Sequence, residues 1–281
     1  MNKDLFNKFL SNSLLEDIGD GDHTSLACIP NSALGTAELI VKQKGIIAGV
    51  QIAEMLFREI DKELIFIKRI NDGSEVIPGM IAFTVNGKIQ TILKSERLVL
   101  NIMQRMSGIA TVTNEYCEKV KGSDTKILDT RKTTPGFRYF EKEAVRIGGG
   151  GNHRMGLFDM IMIKDNHIDF AGGIEKAILL VYNYQKVNNK NLKVEIESRS
   201  LEDVKEILKI GMIDRIMFDN FSVENTRKAV NLVAGKYETE SSGNITLDTI
   251  RSYAETGVDY VSVGSLTHQV KSLDLSLKAK F

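Results

Sequence analysis

Residues 129–169 contain most of the side chains in this sequence that could bind a charged ligand or take part in catalysis. The stretch carries guanidinium and ammonium groups at high density, with two of the chain's four histidines. These residues are Arg131, Lys132, Arg138, Lys142, Arg146, Arg154 and Lys164, with His153 and His167. Positively charged hydrogen-bond donors at this density suit a small polyanion. The sequence therefore predicts an anion-binding site here.

A glycine run and an apolar run frame these donors. Four consecutive glycines, residues 148–151, precede Asn152, His153 and Arg154. Glycine accepts positive φ angles and lets the backbone approach a ligand closely. The apolar residues 160–163 follow and end at Lys164. This pattern predicts a short buried strand that delivers polar side chains at its end.

The composition excludes several classes of protein. With 281 residues, 42% of them hydrophobic and 26% charged, the chain can form one large globular domain or two modest ones. Its formal net charge is zero, so we expect neither a nucleic-acid partner nor a membrane partner. No apolar run has the length of a membrane span, and the N-terminal residues lack a signal-peptide core, which favours a cytoplasmic location. Cys28 and Cys117 match no metal-binding spacing and are expected to be free thiols.

The first part of the chain predicts a small domain built on an antiparallel sheet. Short apolar runs alternate with turn signals between residues 35 and 92, and the signal at Asn86-Gly87 predicts a tight turn before a strand with the sequence KIQTIL. A long helix is predicted from Ser95, as its N-cap, to Val120. We assign residues 1–110 to this α+β domain. Residues 270–281 alternate apolar and polar side chains, which predicts a strand that returns to the same sheet.

The rest of the chain predicts an α/β architecture. Six apolar runs of strand type end near Asp129, Ile163, Glu197, Phe218, Ser241 and Val263, and helical stretches separate them. Strands that alternate with helices pair in parallel through helical crossovers. Six such units indicate an open or nearly closed β/α barrel, which we assign to residues 111–269.

Polar residues follow the predicted barrel strands, at the face where the carboxyl ends of parallel strands meet and where active sites are built. They are Asp129, Thr130, Arg131, Lys132, Lys164, Asp165, Asn166, His167, Glu195, Glu197, Asp219, Asn220, Ser242, Gly243, Asn244, Gly264 and Ser265. The pattern predicts one site of mixed carboxylates, lysines and arginines.

Glu197 and Asp219 are the best pair in the sequence for holding a divalent ion. Mg²⁺ is typically bound by one or two carboxylates together with phosphate oxygens of the substrate. The alternative is that these carboxylates form ion pairs with Arg131 or Lys164. Glu195 shares the strand parity of Glu197, so alternation along the strand does not separate the two.

Two turns of small residues follow the last predicted strands, and each could offer backbone N–H groups to a phosphate. The turns are Ser242-Gly243-Asn244 and Val263-Gly264-Ser265. Barrels commonly place a phosphate site after their last strands.

Several long motifs closely resemble segments of the quinolinate phosphoribosyltransferase family, also named nicotinate-nucleotide pyrophosphorylase (carboxylating). They read DTRKTTPGFR, GGGGNHRMGLFD and IKDNHI, with further matches at LLEDIGDGDHTS and SVGSLTH near the two ends of the chain. The resemblance implies transfer of phosphoribosyl from phosphoribosyl pyrophosphate to quinolinate, with Mg²⁺. Decarboxylation would then give nicotinate mononucleotide, pyrophosphate and CO2, a step of de novo NAD biosynthesis.

The resemblance also implies roles for individual residues. It places Arg131, His153, Arg154 and Lys164 around quinolinate. It places Thr130, Lys132, Glu197 and Asp219 with the phosphoribosyl donor, and we assign the two small-residue turns to the 5′-phosphate of that donor. Lys132, Lys164, Glu197 and Asp219 would be catalytic, and Glu197 and Asp219 would hold the metal. Arg97 would reach the site of a neighbouring subunit, which implies a homodimer or hexamer.

Two other functions remain open at this point. A lysine at the end of a barrel strand is also the nucleophile of Schiff-base aldolases, and Lys164 would fill that role. The second alternative is that the protein is a non-enzymatic paralogue of the same fold, of the kind found beside molybdate-transport functions. The sequence assigns no role to His23, His167 or His268.

Overall fold

The structure is a computed structural model that describes residues 3–280. The chain divides into two compact units. One comprises Met1–Asn114, Thr133–Gly149 and Thr267–Phe281, and the other comprises Glu115–Lys132 and Gly150–Leu266. The segment of residues 133–149 therefore clusters with the first unit, although it lies between two segments of the second.

The first unit is built on a four-stranded antiparallel sheet with the order β12-β1-β5-β3. The strands are β1 (Leu34–Val41), β3 (Ile65–Lys68), β5 (Ile81–Lys88) and β12 (Leu275–Lys280), and β2 (Gly45–Ile46) pairs separately with β4 (Glu75–Val76). Buried Leu277 of β12 lies opposite buried Leu39 of β1. The predicted return of the C-terminus to the N-terminal sheet is confirmed.

Five helices complete this part of the chain: α1 (Lys3–Ile18), α2 (His23–Cys28), α3 (Val50–Ile60), α4 (Ile89–Lys119) and α5 (Arg138–Ile147). Asp22 caps α2 by accepting a hydrogen bond from the backbone N–H of Ser25. His23 is thus the first residue of a short helix rather than part of the preceding turn.

The region before α4 differs from the sequence-based prediction. Strand β5 continues through Asn86 and Gly87 to Lys88, and the other residues of the predicted KIQTIL strand form the start of α4. A side chain at Gly87 would meet Leu64 at 2.4 Å, so the glycine here allows close packing and does not mark a turn. Ser95 is wrong as the N-cap, because it is buried within α4 and its hydroxyl donates to the carbonyl oxygen of Thr91.

The second unit contains a six-stranded sheet with the order β6-β11-β10-β9-β8-β7, and every pairing is parallel. The strands are β6 (Lys126–Leu128), β7 (Ile161–Ile163), β8 (Val194–Ser198), β9 (Arg215–Asp219), β10 (Glu238–Ser242) and β11 (Tyr260–Ser262). The helices are α6 (Asp165–Ala171), α7 (Ile174–Val187), α8 (Leu201–Ile210), α9 (Val223–Val233), α10 (Ile250–Ala254) and α11 (Ser265–His268). Strands β6 and β7 are the edges of this sheet, so the predicted open β/α barrel is confirmed.

The strand register sets ionisable side chains in rows across this sheet. Glu195 lies beside Arg215 on β9, which lies beside Glu238 on β10. In the next row, Glu197 lies beside Met217, which lies beside Glu240. Residues two apart on a strand share a face, so both rows project to the same side of the sheet.

Within residues 3–280, no helix combines the length and the apolar character needed to cross a membrane.

Candidate active site

A cavity of about 350 Å³ lies in the second unit and is lined mainly by polar side chains. Its lining residues are Thr130, Arg131, Lys132, His153, Arg154, Met162, Lys164, Glu197, Met217, Asp219, Glu240, Ser242 and Ser262. Nine of the predicted site residues are among them. The predicted convergence of polar side chains after the barrel strands is thus observed.

Asp129 anchors the loop that carries His153 and Arg154. Its buried carboxylate accepts hydrogen bonds from the backbone N–H of His153 at 2.9 Å and from the side-chain amide of Asn152 at 2.7 Å. Gly151 forms a parallel bridge with Leu128 at the end of β6. A side chain at Gly151 would meet Leu128 at 2.9 Å, so the last glycine of the run allows the loop to lie against the strand.

The arginines of the cavity differ in their surroundings. Arg131 is exposed, whereas Arg154 is buried, with 9% of its surface accessible. A nitrogen of the Arg154 guanidinium lies 3.3 Å from the carbonyl oxygen of Met160, to which it donates. Burial and the nearby charge of Arg131 lower the pKa of Arg154, so an anionic ligand that neutralises both guanidinium groups relieves their repulsion.

Lys164 and Glu197 form an ion pair at the cavity wall, through Nζ and Oε1. The other carboxylate oxygen of Glu197 accepts a hydrogen bond from the backbone N–H of Asp165 at 3.3 Å, at the start of α6. The ion-pair alternative considered for Glu197 is therefore realised with Lys164.

Asn220 links the ends of β9 and β10. Its side-chain amide donates to Asp219 at 2.9 Å, and its side-chain carbonyl accepts from Asn244 at 3.1 Å. Gly243 has a φ of +99°, and a side chain there would lie 2.2 Å from the same carbonyl oxygen. The Ser242-Gly243-Asn244 turn therefore requires glycine at its centre.

The residues Glu197 and Asp219 fit a Mg²⁺ ion by donor type. Both offer carboxylate oxygens at the carboxyl ends of neighbouring strands, and both line the same cavity. This donor set is the one that Mg²⁺ uses together with substrate phosphates. Glu195 is fully buried and does not line the cavity, which separates it from Glu197.

Glu195, Glu240 and Arg215 form a buried charged cluster that reaches the cavity through Glu240. Arg215 lies 2.8 Å from Glu240 and 4.0 Å from Glu195. Nε2 of His153 lies 2.9 Å from Glu195 and 3.5 Å from Glu240. Burial raises the pKa of Glu195 to about 7. Burial and the charge of Glu195 together raise the pKa of Glu240 to about 7.

Some predicted residues lie outside the cavity lining. Gly243 and Asn244 follow the lining residue Ser242, and Val263, Gly264 and Ser265 follow the lining residue Ser262. Val263 is buried and donates its backbone N–H to Leu128 at 2.9 Å, so that N–H is used within the sheet.

Arg97 lies on α4 in the first unit, is exposed and lines a separate cavity of about 490 Å³. Arg105, two turns further along this helix, donates to the buried Glu141 and to Thr134, which indicates a structural role. Arg138, Lys142 and Arg146 lie on α5 in the first unit and do not line the barrel cavity.

The sequence analysis missed several functional residues. Asp129 was placed among the strand-end residues of the site but was given no role there, and Met162, Met217, Glu240 and Ser262 were not singled out. Strand parity could have identified Glu240, because it lies two residues before Ser242 on the same strand. No comparable signal marks Met162 or Met217, since apolar residues dominate barrel strands.

Family models match nearly the whole chain. The model described as quinolinate phosphoribosyl transferase, N-terminal domain, matches residues 22–107. The model for the C-terminal domain of the same family matches residues 109–278. The boundary between the two models, near residue 108, falls within α4.

Individual relatives and solved structures agree with this match. A quinolinate phosphoribosyltransferase [decarboxylating] of Nicotiana tabacum is 47% identical over 281 aligned positions, which cover 95% of this chain and 80% of the relative. A probable nicotinate-nucleotide pyrophosphorylase [carboxylating] of Bacillus subtilis is 41% identical, and the alignment covers 99% of this chain and 94% of the relative. The crystal structure of NadC from Streptococcus pyogenes superposes with a TM-score of 0.92 at 37% identity, and covers 100% of this chain and 99% of its own. The chain therefore belongs to the quinolinate phosphoribosyl transferase family.

Proposed function

We propose that this protein transfers the phosphoribosyl group of phosphoribosyl pyrophosphate to quinolinate and decarboxylates the adduct, which yields nicotinate mononucleotide, pyrophosphate and CO2. The observation that carries the proposal is the barrel cavity, in which two arginines and two lysines of the family motifs come together with Glu197 and Asp219. Two relatives, from Nicotiana tabacum and Bacillus subtilis, bear names that describe this activity.

Quinolinate binding requires positive charge and oriented hydrogen-bond donors, and the cavity supplies both. Quinolinate carries two adjacent carboxylates on a pyridine ring, and guanidinium groups bind carboxylates through paired hydrogen bonds. Arg131 and Arg154 serve this purpose, with Lys164 as a third positive charge and His153 as part of the wall. The Asp129 contacts hold the His153-Arg154 loop in place before the ligand arrives, which lowers the cost of ordering it on binding.

Phosphoribosyl transfer requires stabilisation of a departing anion. The pyridine nitrogen forms a bond to C1′ of the donor while the bond from C1′ to the pyrophosphate oxygen breaks. Lys132 faces the leaving pyrophosphate, and the Ser242-Gly243-Asn244 turn binds the 5′-phosphate with Gly264 and Ser265. Fixed positive groups at such positions stabilise the developing charge without reorganisation.

Glu197 and Asp219 would hold Mg²⁺, which when bound supplies positive charge to the pyrophosphate oxygens. Glu197 would then share its carboxylate with Lys164, its present ion-pair partner. The protein's own part in this step is to keep the two carboxylates on adjacent strand ends.

Decarboxylation follows from the charge that the first step places on the ring. Once the nitrogen is bonded to C1′, the ring accepts the electron pair released as the neighbouring carboxylate leaves as CO2, and the carbon then takes up a proton. We assign Lys164 as the proton or charge partner for this step. Positioning and exclusion of water by the cavity account for the rest.

Arg97 has no place in the barrel cavity of its own chain, and we propose that a second subunit receives it. The protein would then act as a homodimer or a hexamer. A cytoplasmic location stays a prediction, and relatives in Nicotiana glauca and Arabidopsis thaliana are named as mitochondrial and chloroplastic proteins.

The test is a mass-spectrometric assay of the purified protein with phosphoribosyl pyrophosphate, Mg²⁺ and either quinolinate or nicotinate. Nicotinate mononucleotide from quinolinate alone supports the proposal. No product from folded protein under either condition would contradict it. Borohydride trapping of a carbonyl substrate on Lys164 would instead support the Schiff-base aldolase alternative.

A further inference from the structure

Two buried carboxylates, Glu195 and Glu240, lie next to His153 and have no part in the chemistry proposed above. Both side chains are 0% exposed, and the His153 side chain is 6% exposed. His153 and Glu240 also line the cavity. Burying two carboxylates is costly unless charged or hydrogen-bonding groups compensate them, so their presence beside a cavity residue requires an explanation.

The contacts of His153 fix which of its ring nitrogens carries the proton. The backbone N–H of Arg154 lies 2.7 Å from Nδ1 of His153, and because a backbone N–H can only donate, Nδ1 must accept. In a neutral imidazole the proton then resides on Nε2. Nε2 lies 2.9 Å from Oε2 of Glu195 and 3.5 Å from Oε2 of Glu240, so its N–H group lies close to both carboxylates.

A further contact fixes the backbone at His153. Asp129 accepts the backbone N–H of His153, which fixes the chain at this residue. Among residues 3–280, neither oxygen of the Glu195 carboxylate has a hydrogen-bond partner, so its 2.9 Å approach to Nε2 of His153 is an electrostatic contact. The groups that contact His153 include Asp129, Arg154, Glu195 and Glu240.

The same groups could have formed a metal site, since ligand atoms of His153, Glu195 and Glu240 lie within 4.8 Å of one another. Arg215 makes this unfavourable, because its guanidinium lies 2.8 Å from Glu240 and 4.0 Å from Glu195. A divalent ion would add positive charge where a guanidinium already supplies it. The cluster is therefore suited to orienting the imidazole rather than to binding a metal.

We propose that Glu195 and Glu240 are positioning residues that hold His153 as the Nε2–H tautomer, with a neutral ring fixed against the cavity wall. The ligand then meets the ring as a shaped, uncharged surface, and positive charge comes from Arg131, Arg154 and the lysines. The statement about the ligand rests on the proposed function, whereas the statement about the tautomer does not.

The experiment combines nitrogen NMR with kinetics. The protein is labelled with ¹⁵N-histidine, which gives four ring systems, and a His153→Asn variant assigns the signals of His153. Long-range ¹H–¹⁵N correlation spectra distinguish the two neutral tautomers from the imidazolium form. We expect the Nε2–H tautomer in the wild-type protein at the pH of the assay.

Three variants separate positioning from a general structural role. Glu195→Leu removes the carboxylate beside Nε2, and we expect exchange between tautomers at His153 with a rise of about tenfold in KM for quinolinate and kcat within about threefold of wild type. Glu195→Gln keeps an acceptor oxygen and restores both readouts. Glu238→Gln is the matched control, because Glu238 contacts the same Arg215 at 3.0 Å but has no recorded contact with His153. It should leave both readouts unchanged.

The proposal fails if wild-type His153 is an imidazolium or the Nδ1–H tautomer, or if Glu238→Gln has the same effect as Glu195→Leu. If Glu195→Leu does not fold, the wild-type spectrum and the two glutamine variants still test the tautomer assignment. If the wild-type protein has no activity with quinolinate, the proposed function fails, and the spectra alone test the tautomer.

Discussion

Arg131 and Arg154 illustrate how one residue type serves two purposes within a single cavity. Arg131 is exposed and can adapt to a ligand, whereas Arg154 is buried and lies in a loop that Asp129 holds in place. Preorganised guanidinium groups bind carboxylates with less loss of side-chain entropy than flexible ammonium groups. We therefore expect Arg154 to set the orientation of the ligand and Arg131 to complete its neutralisation.

Arg154→Lys should raise KM for quinolinate by about 10- to 100-fold, because a lysine keeps the charge but loses the paired hydrogen bonds, worth roughly 1.5–3 kcal/mol. KM for phosphoribosyl pyrophosphate should change by less than about threefold. Steady-state kinetics with each substrate varied in turn measure both constants. Arg227→Lys, at an exposed position on α9, is the control. Equal changes in both KM values would show that Arg154 does not discriminate between the substrates.

The pH dependence of stability follows from the raised pKa of Glu240. Its pKa is about 7 in the folded protein and near the ordinary glutamate value of 4.5 in the unfolded chain. The folded state therefore binds more protons between these values, so the stabilisation from protonated Glu240 is present below about pH 4.5 and is lost as the pH rises through 7. In this range, the free energy of unfolding of Glu240→Gln relative to wild type should rise by on the order of 1 kcal/mol per pH unit. Urea unfolding at several pH values measures the difference, and a difference independent of pH would contradict the prediction.

At the scale of elements, the ends of the barrel strands form the site, and small residues decide how closely those ends approach. Gly243 allows the β10 turn to pass beside Asn220, which in turn holds Asp219. Gly151 does the same for the loop beside β6. The glycines thus act through packing as well as through backbone freedom.

Gly243→Ala should lower the free energy of unfolding by more than about 2 kcal/mol, since a positive φ and a 2.2 Å clash with Asn220 add together. The displaced turn should also raise KM for phosphoribosyl pyrophosphate. Gly235→Ala is the matched control, because Gly235 has a φ of +72° with nothing within 4 Å of the added carbon. It should cost about 1 kcal/mol. Equal losses of unfolding free energy for the two substitutions would mean that the turn can shift to accommodate the added carbon, which would contradict the prediction.

The sequence predicted the parallel strands and their polar ends because alternation and length are local properties of the chain. It predicted Glu197 and Asp219 at the cavity for the same reason. Local patterns could not separate Glu195 from Glu197. The two side chains share a face of the strand, but only Glu197 lies near enough to the strand end to line the cavity. They also misplaced the start of α4, because Gly87 reads as a turn residue until its packing against Leu64 is known.

At the scale of the whole molecule, the sequence alone could not show that the basic residues of the predicted cluster are divided between the two compact units. Residues 133–149, with three basic side chains of the predicted cluster, belong to the first compact unit. Contiguity in the sequence suggested one anion site, but only the residues before and after this segment line the barrel cavity. Long-range contacts decide this, and no local pattern encodes them.

The proposed exchange of Arg97 between subunits predicts complementation. Arg97→Ala and Lys164→Ala should each be inactive alone. A mixed dimer contains one site with both residues intact, so it should recover about half of the wild-type activity. Co-expression with two different tags and tandem purification isolates the mixed species. Mixed dimers no more active than either parent would exclude the exchange.

The most direct test of the central claim follows the carboxylate that is lost. Quinolinate labelled with ¹³C in the carboxylate next to the ring nitrogen is incubated with phosphoribosyl pyrophosphate, Mg²⁺ and enzyme, and labelled CO2 and nicotinate mononucleotide are quantified by mass spectrometry. We expect labelled CO2 and unlabelled nucleotide in equal amounts, with neither formed by an Arg131→Met, Arg154→Met double variant. Nucleotide that retains the label, or CO2 released without nucleotide, would contradict coupled phosphoribosyl transfer and decarboxylation in the barrel cavity.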